Sequence, residues 1–135
     1  MRGFIIVLIL ITNVFGSNEN YELKLYEKIL PSIFKKHFLI YTDSKNKDII
    51  EYSSNLKMAV NCRDADLLLG KGFKNLSATC QDKPVFSTSY RSFLNNPNAI
   101  GAFYWRKGRP QIRFKADALK KYDLKLPKSL EEFVR

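Results

Sequence analysis

The sequence predicts an α/β fold, a three-layer sandwich with a mostly parallel sheet, a C-terminal antiparallel hairpin and helices on both faces. Two short apolar runs, FLIY at 38–41 and ADLLL at 65–69, flank an amphipathic stretch, as in a βαβ unit. Over residues 98–114, alternating side chains surround a glycine-containing loop expected to have three to five residues, which is typical of a hairpin. These patterns predict a single domain over residues 17–135.

Residues 1–16 have the pattern of a secretory signal peptide. Arg2 precedes an apolar run of about twelve residues, and small residues lead to an expected cleavage after Gly16. A membrane span needs about 20 apolar residues, so an uncleaved anchor is the less favoured alternative. The Lys-, Asn- and Ile-rich composition suits a bacterium, and the predicted location is therefore the periplasm.

The first half of the domain is predicted to contain two helices and two buried strands. Apolar residues at helical spacing indicate a helix over Asn18–Lys36, which Pro31 is expected to kink or divide. Strand 38–41 is followed by Asp43 or Ser44 as a helix N-cap. The next helix is expected over Lys47–Asn61, before strand 65–69. The order strand, helix, strand favours parallel pairing with a right-handed crossover.

The second half supplies the rest of the sheet and its covering helices. A short helical turn is expected within Lys74–Cys80, and KPVFS at 83–87 reads as a third parallel strand. Thr88 and Ser89 are expected to cap a helix over Tyr90–Asn95 with Phe93 and Leu94 inward. After the hairpin, helical segments are predicted at 116–122 and 129–134.

Two cysteines, Cys62 and Cys80, follow the predicted signal peptide. In an oxidising compartment an even count favours a disulfide. A structural bridge is the leading interpretation, and a redox-sensitive bridge or free thiols are the alternatives. With one histidine in the chain, the cysteines have no plausible zinc spacing, so no metal site is predicted.

The tip of the hairpin is the leading candidate for partner binding. Aromatic and basic side chains are concentrated there, and such residues are favoured as interface anchors. The predicted partner-binding residues are Tyr104, Trp105, Arg106, Lys107 and Arg109. The alternative is that Phe103 or Trp105 packs beneath a helix. Strand alternation places at least one of the three consecutive aromatic residues on the opposite face from the others.

A small-anion site is the alternative functional hypothesis. Ligands of open parallel sheets bind beyond the carboxyl ends of the strands, where hydroxyls, glycines and cations are expected here. The candidate ligand-binding residues are Lys71, Ser87, Ser89 and Arg91. The same residues also suit ordinary caps and turns, and Gly70-Lys71-Gly72 lacks the spacing of a phosphate loop.

Catalysis is the least supported class, and no enzyme activity is predicted. The single histidine, His37, lies at an element boundary, and no nucleophile and base can be paired with it. The carboxylates are scattered, no cofactor fingerprint is present, and no cofactor is expected. The net charge of +10 would suggest nucleic acid in a cytosolic protein, but export removes that partner and leaves acidic proteins, anionic surfaces or a solvated lysine-rich exterior.

The segment from Cys62 to Val134 contains, in order, Cys62 with ADLLLG, then KPVFSTS, then AIGAFYWRKGRPQIRF, and in this order it resembles the YfiR family of small periplasmic regulators. Cys62 followed by ADLLLG, then KPVFSTS at 83–89, is similar in order to the family's cysteine and its R-P-V-L-T-V-S strand. AIGAFYWRKGRPQIRF at 99–114 is similar to its I-G-F-x-x-x-x-G-x-[VI]-R-F hairpin. The chain departs from the family after this hairpin, where Lys115-Ala116 replaces its Glu-Ile-Asn.

The resemblance implies a periplasmic α/β regulator that binds the sensor domain of an inner-membrane diguanylate cyclase. It also implies a role in cyclic-di-GMP signalling and disulfides that affect stability or activity. The expected function is therefore that of a regulatory or adaptor protein controlling an inner-membrane signalling protein.

Overall fold

A computed structural model of the chain describes residues 17–34, 37–71, 73 and 76–134. Within them the chain has a six-stranded, mostly parallel sheet with helices, which confirms the predicted α/β fold. The helices are α1 (Ser17–Phe34), α2 (Ser44–Glu51), α3 (Ala78–Gln81), α4 (Tyr90–Asn95) and α5 (Ala116–Lys121). The strands are β1 (Leu39–Thr42), β2 (Lys57–Met58), β3 (Leu67–Leu69), β4 (Val85–Ser87), β5 (Ala99–Arg106) and β6 (Arg109–Phe114). Two 3-10 helices cover Cys62–Asp64 and Lys128–Phe133.

The strands lie in the order β2-β1-β3-β4-β5-β6. Neighbours from β2 to β5 are parallel, and β6 is antiparallel to β5 at one side of the sheet. The carboxyl ends of the parallel strands therefore share one edge, and the hairpin lies at the far side from β2. Near the end of β6, Val134 forms an isolated parallel bridge with Phe114, so the C-terminal segment covers part of this outer side.

The core has two layers, one on each face of the sheet. The larger contains α1 residues such as Tyr26 and Leu30, together with Ile50 of α2 and Leu119 of α5. The opposite face carries two smaller clusters, one of which holds Phe93 of α4. The sheet is thus buried on both sides, as its near-continuous apolar strands require.

The predicted helix over Lys47–Asn61 is wrong in its second half. Helix α2 ends at Glu51, and the chain turns before pairing beside β1 as the short strand β2. The Ser53 hydroxyl accepts hydrogen bonds from the backbone N–H groups of Asn55, at 3.0 Å, and Leu56, at 2.9 Å. Serine side chains that bond nearby backbone in this way favour turns over helix, and this local chemistry ends α2.

Three further expectations differ from the structure or lie outside it. Pro31 lies within α1 and does not divide it into two helices. Leu94, expected to point inward, is 56% exposed. The predicted signal peptide, residues 1–16, lies outside the described residues. No helix in the described parts of the chain is long and apolar enough to cross a membrane.

Strand β5 contains an irregularity that the alternation pattern did not predict. Val85 pairs with Ala99, but the next residue, Phe86, pairs with Gly101, so β5 has one extra residue at this point. Such a bulge changes the face on which the preceding side chains lie. Ile100 consequently belongs to the same core cluster as Phe103, instead of alternating with it.

Candidate functional site

The hairpin turns through two residues rather than the expected three to five. Arg106 pairs with Arg109, and between them Lys107 and Gly108 have φ values of 53° and 78°. Positive φ at both central residues is the signature of a type I′ turn, whose twist matches that of the strands. The turn and its two flanking arginines are exposed, so they form the outermost part of the hairpin.

Replacing Gly108 by Ala is expected to lower the free energy of unfolding by about 1 kcal/mol, because L side chains resist positive φ. A Cβ at Gly108 would have nothing within 4 Å, so the cost is purely conformational. Lys107→Asn is a control with the opposite expected sign. It should raise the free energy of unfolding by about 0.5 kcal/mol, since Asn tolerates positive φ better than Lys. Urea unfolding of residues 17–135 measures both; three indistinguishable stabilities would contradict the turn geometry.

Trp105 is half-buried and held by two other rings. Its ring centroid lies 5.9 Å from that of Tyr21 in α1 and 5.6 Å from that of Phe103. Phe103 itself is 1% exposed. Trp105 therefore combines the two interpretations made from the sequence: one part packs beneath the start of α1, and the rest remains open beside the tip.

Tyr104 was predicted to bind a partner, but the structure shows that it is buried. Its side chain is only 8% exposed and belongs to the cluster around Phe93, on the face opposite Phe103. Its ring centroid lies 5.1 Å from that of Tyr90 in α4. The pleat forces this separation of neighbouring aromatic residues, so Tyr104 supports the second core layer and does not belong to the exposed tip.

The tip cations have no counter-charges among the described residues. Within the described part of the chain, none of Arg106, Lys107 and Arg109 has a carboxylate within 4.0 Å. The surrounding sequence explains this, because the segment 83–116 contains no Asp or Glu. Charges that are not neutralised internally remain available to an anionic partner.

The carboxyl edge of the sheet, where the anion site was predicted, is closed by a side chain of the protein itself. Asp43 follows β1, and its carboxylate accepts hydrogen bonds from the backbone N–H groups of Asn46, at 3.1 Å, and Lys71, at 3.0 Å. It also accepts from the Asn46 side chain at 2.7 Å. Gly70, with φ of +142°, lies so close that a Cβ there would overlap this carboxylate. The groups that would bind an anion at this point therefore bind Asp43 instead.

The four predicted ligand-binding residues are divided between internal roles and open surface. Ser87 is fully buried and shares a hydrogen bond of 3.3 Å with the Ser92 hydroxyl. Ser89 caps α4 by accepting from the Ser92 backbone N–H at 3.0 Å. Lys71 and Arg91 are exposed. The Ser89 hydroxyl thus has the cap role of the alternative interpretation, and the Ser87 hydroxyl is engaged inside the protein.

A cavity that sequence reasoning missed lies beside β1 and β2. Its volume is about 500 Å³, and its lining residues are Tyr41, Thr42, Lys47, Met58, Ala59 and Val60. The Thr42 hydroxyl is buried and has no hydrogen-bond partner in the described structure. The pattern over Lys47–Asn61 predicts a helix where β2 lies, so it does not place these segments side by side.

Cys62 and Cys80 form a disulfide, as predicted, with a Cα–Cα distance of 5.8 Å. Cys80 is fully buried, whereas Cys62 is half-buried. The bond fastens the 3-10 helix Cys62–Asp64 to α3. In the described segments, no group of three or more His, Cys, Asp or Glu side chains is arranged to hold a metal ion.

No family model, no curated protein and no solved structure matches this chain.

Proposed function

We propose that the protein is a periplasmic regulatory or adaptor protein that binds and controls an inner-membrane signalling protein. The observation that carries this proposal is the hairpin tip, where three exposed cations with no carboxylate within 4.0 Å among the described residues follow the half-buried Trp105 in the chain. Arginine and tryptophan are the residue types that most often dominate binding energy at protein interfaces. The disulfide is in keeping with an oxidising compartment.

The YfiR resemblance supplies the identity of the proposed partner, a membrane protein of the diguanylate cyclase type. The competing proposal, a small-anion binding protein, has less support. The hydroxyls of Ser87 and Ser89 are engaged internally, and the Asp43 carboxylate occupies the strand-end position. A carboxylate at that point would also repel an incoming anion.

Site-specific photocross-linking in the native cells tests the proposal. A photoreactive amino acid at Lys107 is expected to cross-link the protein to an inner-membrane protein. The matched control is Lys57, which is also exposed but lies on β2 at the opposite side of the sheet. Absence of a product from position 107, or equal products from both positions, would contradict binding through the hairpin tip.

A further inference from the structure

Three arginines lie on one face of the hairpin, and we call them the arginine face. Arg106 pairs directly with Arg109, and Arg113 pairs with Ala102. Alternate residues of a strand share a face, so Ala102, Tyr104 and Arg106 lie on the same side of β5. Their partners on β6 lie on that side too, which brings Arg106, Arg109 and Arg113 to the face covered by α4.

Helix α4 covers only part of this face. Tyr90 packs against Tyr104, and Phe93 lies in the same cluster. Arg109 remains exposed, whereas Arg113 is half-buried. The uncovered part of the face therefore lies between α4 and β6. It has the partly exposed ring of Tyr90 on one side and guanidinium groups on the other.

Lys115 holds α4 in position beside the arginine face. Its Nζ donates to the backbone carbonyls of Phe93, at 2.6 Å, and Asn96, at 3.0 Å, and lies 4.8 Å from the centre of the Phe93 ring. Burial lowers the pKa of Lys115. Its ammonium group is therefore engaged in holding the C-terminal end of α4.

The charges of the arginine face are unfavourable in the isolated protein. Like charges directly opposite each other on paired strands repel, and Arg106 faces Arg109 with no carboxylate within 4.0 Å of either in the described structure. The Nε of Arg113 is buried without a hydrogen-bond partner among the described residues. A group that brings negative charge and several acceptor oxygens would relieve the repulsion between Arg106 and Arg109.

The outer edge of β6 is poorly suited to receive an added strand. Pro110 has no N–H to donate, and the Arg113 Nη1 already donates to the carbonyl of Ile112 at 2.9 Å. Edges are commonly protected by proline and by charged side chains in this manner. A partner is therefore expected on the face of the hairpin and not along its edge.

We propose that the arginine face binds an acidic polypeptide segment, whose carboxylates lie between the guanidinium groups of Arg106, Arg109 and Arg113. This inference rests on the proposed function and names the chemistry of the partner's contact. The planar guanidinium group matches carboxylate in a bidentate geometry. The adjoining exposed side chains of Tyr90 and Leu94 add the apolar contact typical of protein interfaces.

Fluorescence anisotropy with a labelled oligoglutamate peptide tests this inference. The triple variant R106Q/R109Q/R113Q is expected to bind the peptide more than about tenfold more weakly than the natural protein. The control, K24Q/K28Q/K125Q, removes the same charge from exposed lysines elsewhere and should stay within about threefold. The variant R106K/R109K/R113K keeps the charge and loses the planar fork, and we expect an intermediate affinity.

Circular dichroism and thermal unfolding establish that each variant folds. Equal affinities of the two glutamine variants would overturn the inference, as would arginine-dependent binding to phosphatidylglycerol vesicles that oligoglutamate does not compete away. The cross-link from position 107 separates the two proposals. If it persists in R106Q/R109Q/R113Q, the acidic-segment inference alone fails; if oligoglutamate binding depends on the arginines but no cross-link forms, the adaptor function alone fails.

Discussion

Gly70→Ala is expected to lower the free energy of unfolding by about 3 kcal/mol. Gly70 has a φ of +142°, a conformation that other residues avoid. A Cβ would also displace the Asp43 carboxylate, which caps α2 and binds the backbone N–H of Lys71. Chemical denaturation of residues 17–135 measures the loss.

Gly108→Ala is the matched control for this prediction, because it combines positive φ with open space. The excess cost at Gly70 therefore measures the displacement of Asp43. In an Asp43→Ala background the cost of Gly70→Ala should fall by at least about 1 kcal/mol, since the obstructing carboxylate is gone. Equal costs at Gly70 and Gly108 would contradict the close approach of Asp43.

Loss of the disulfide is the second large effect. The double variant C62S/C80S should be less stable by about 3 kcal/mol, because the bond closes a loop whose ends are 18 residues apart and restricts the unfolded chain. For a domain of this size, that loss corresponds to a melting temperature lower by about 10 °C. Differential scanning calorimetry of the natural protein and the variant measures the difference.

A reducing agent supplies the control for this experiment. It should lower the melting temperature of the natural protein and leave that of C62S/C80S unchanged. Because Cys80 is fully buried and Cys62 is half-buried, a thiol reductant is expected to attack at the Cys62 sulfur. Free thiols in the untreated natural protein, detected by alkylation and mass spectrometry, would contradict the prediction.

Much of the fold could be predicted because its strands carry strong, local signals. Every leucine side chain in β3 is buried, and such a continuous apolar run is typical of a central parallel strand. The position of Ser89 before α4 predicts a cap, and the structure confirms it. Strand β2 is the opposite case. It has two residues, and its pairing is fixed by β1 and by the Ser53 turn rather than by its own composition.

The residue types at the candidate site could be predicted from the sequence, but which face of the hairpin is covered could not. Period-two alternation correctly separates Tyr104 from Phe103 and Trp105, but it gives no sign of which face is covered. That depends on Tyr90 and α4, which are distant contacts that a local pattern does not contain. The bulge before Gly101 is likewise a property of the pairing with β4, since the sequence of β5 alone reads as an uninterrupted strand.

The composition of the arginine face has a consequence for its regulation. Guanidinium groups stay protonated at all physiological pH values, and the chain's single histidine, His37, lies outside the segment that forms the hairpin and α4. Association through these arginines would therefore be nearly constant between about pH 5 and 9, where glutamates are also ionised. It would instead weaken as dissolved salt increases, because counterions screen exposed charges. Binding through this surface would therefore depend on the ionic strength of the surroundings and hardly at all on their pH.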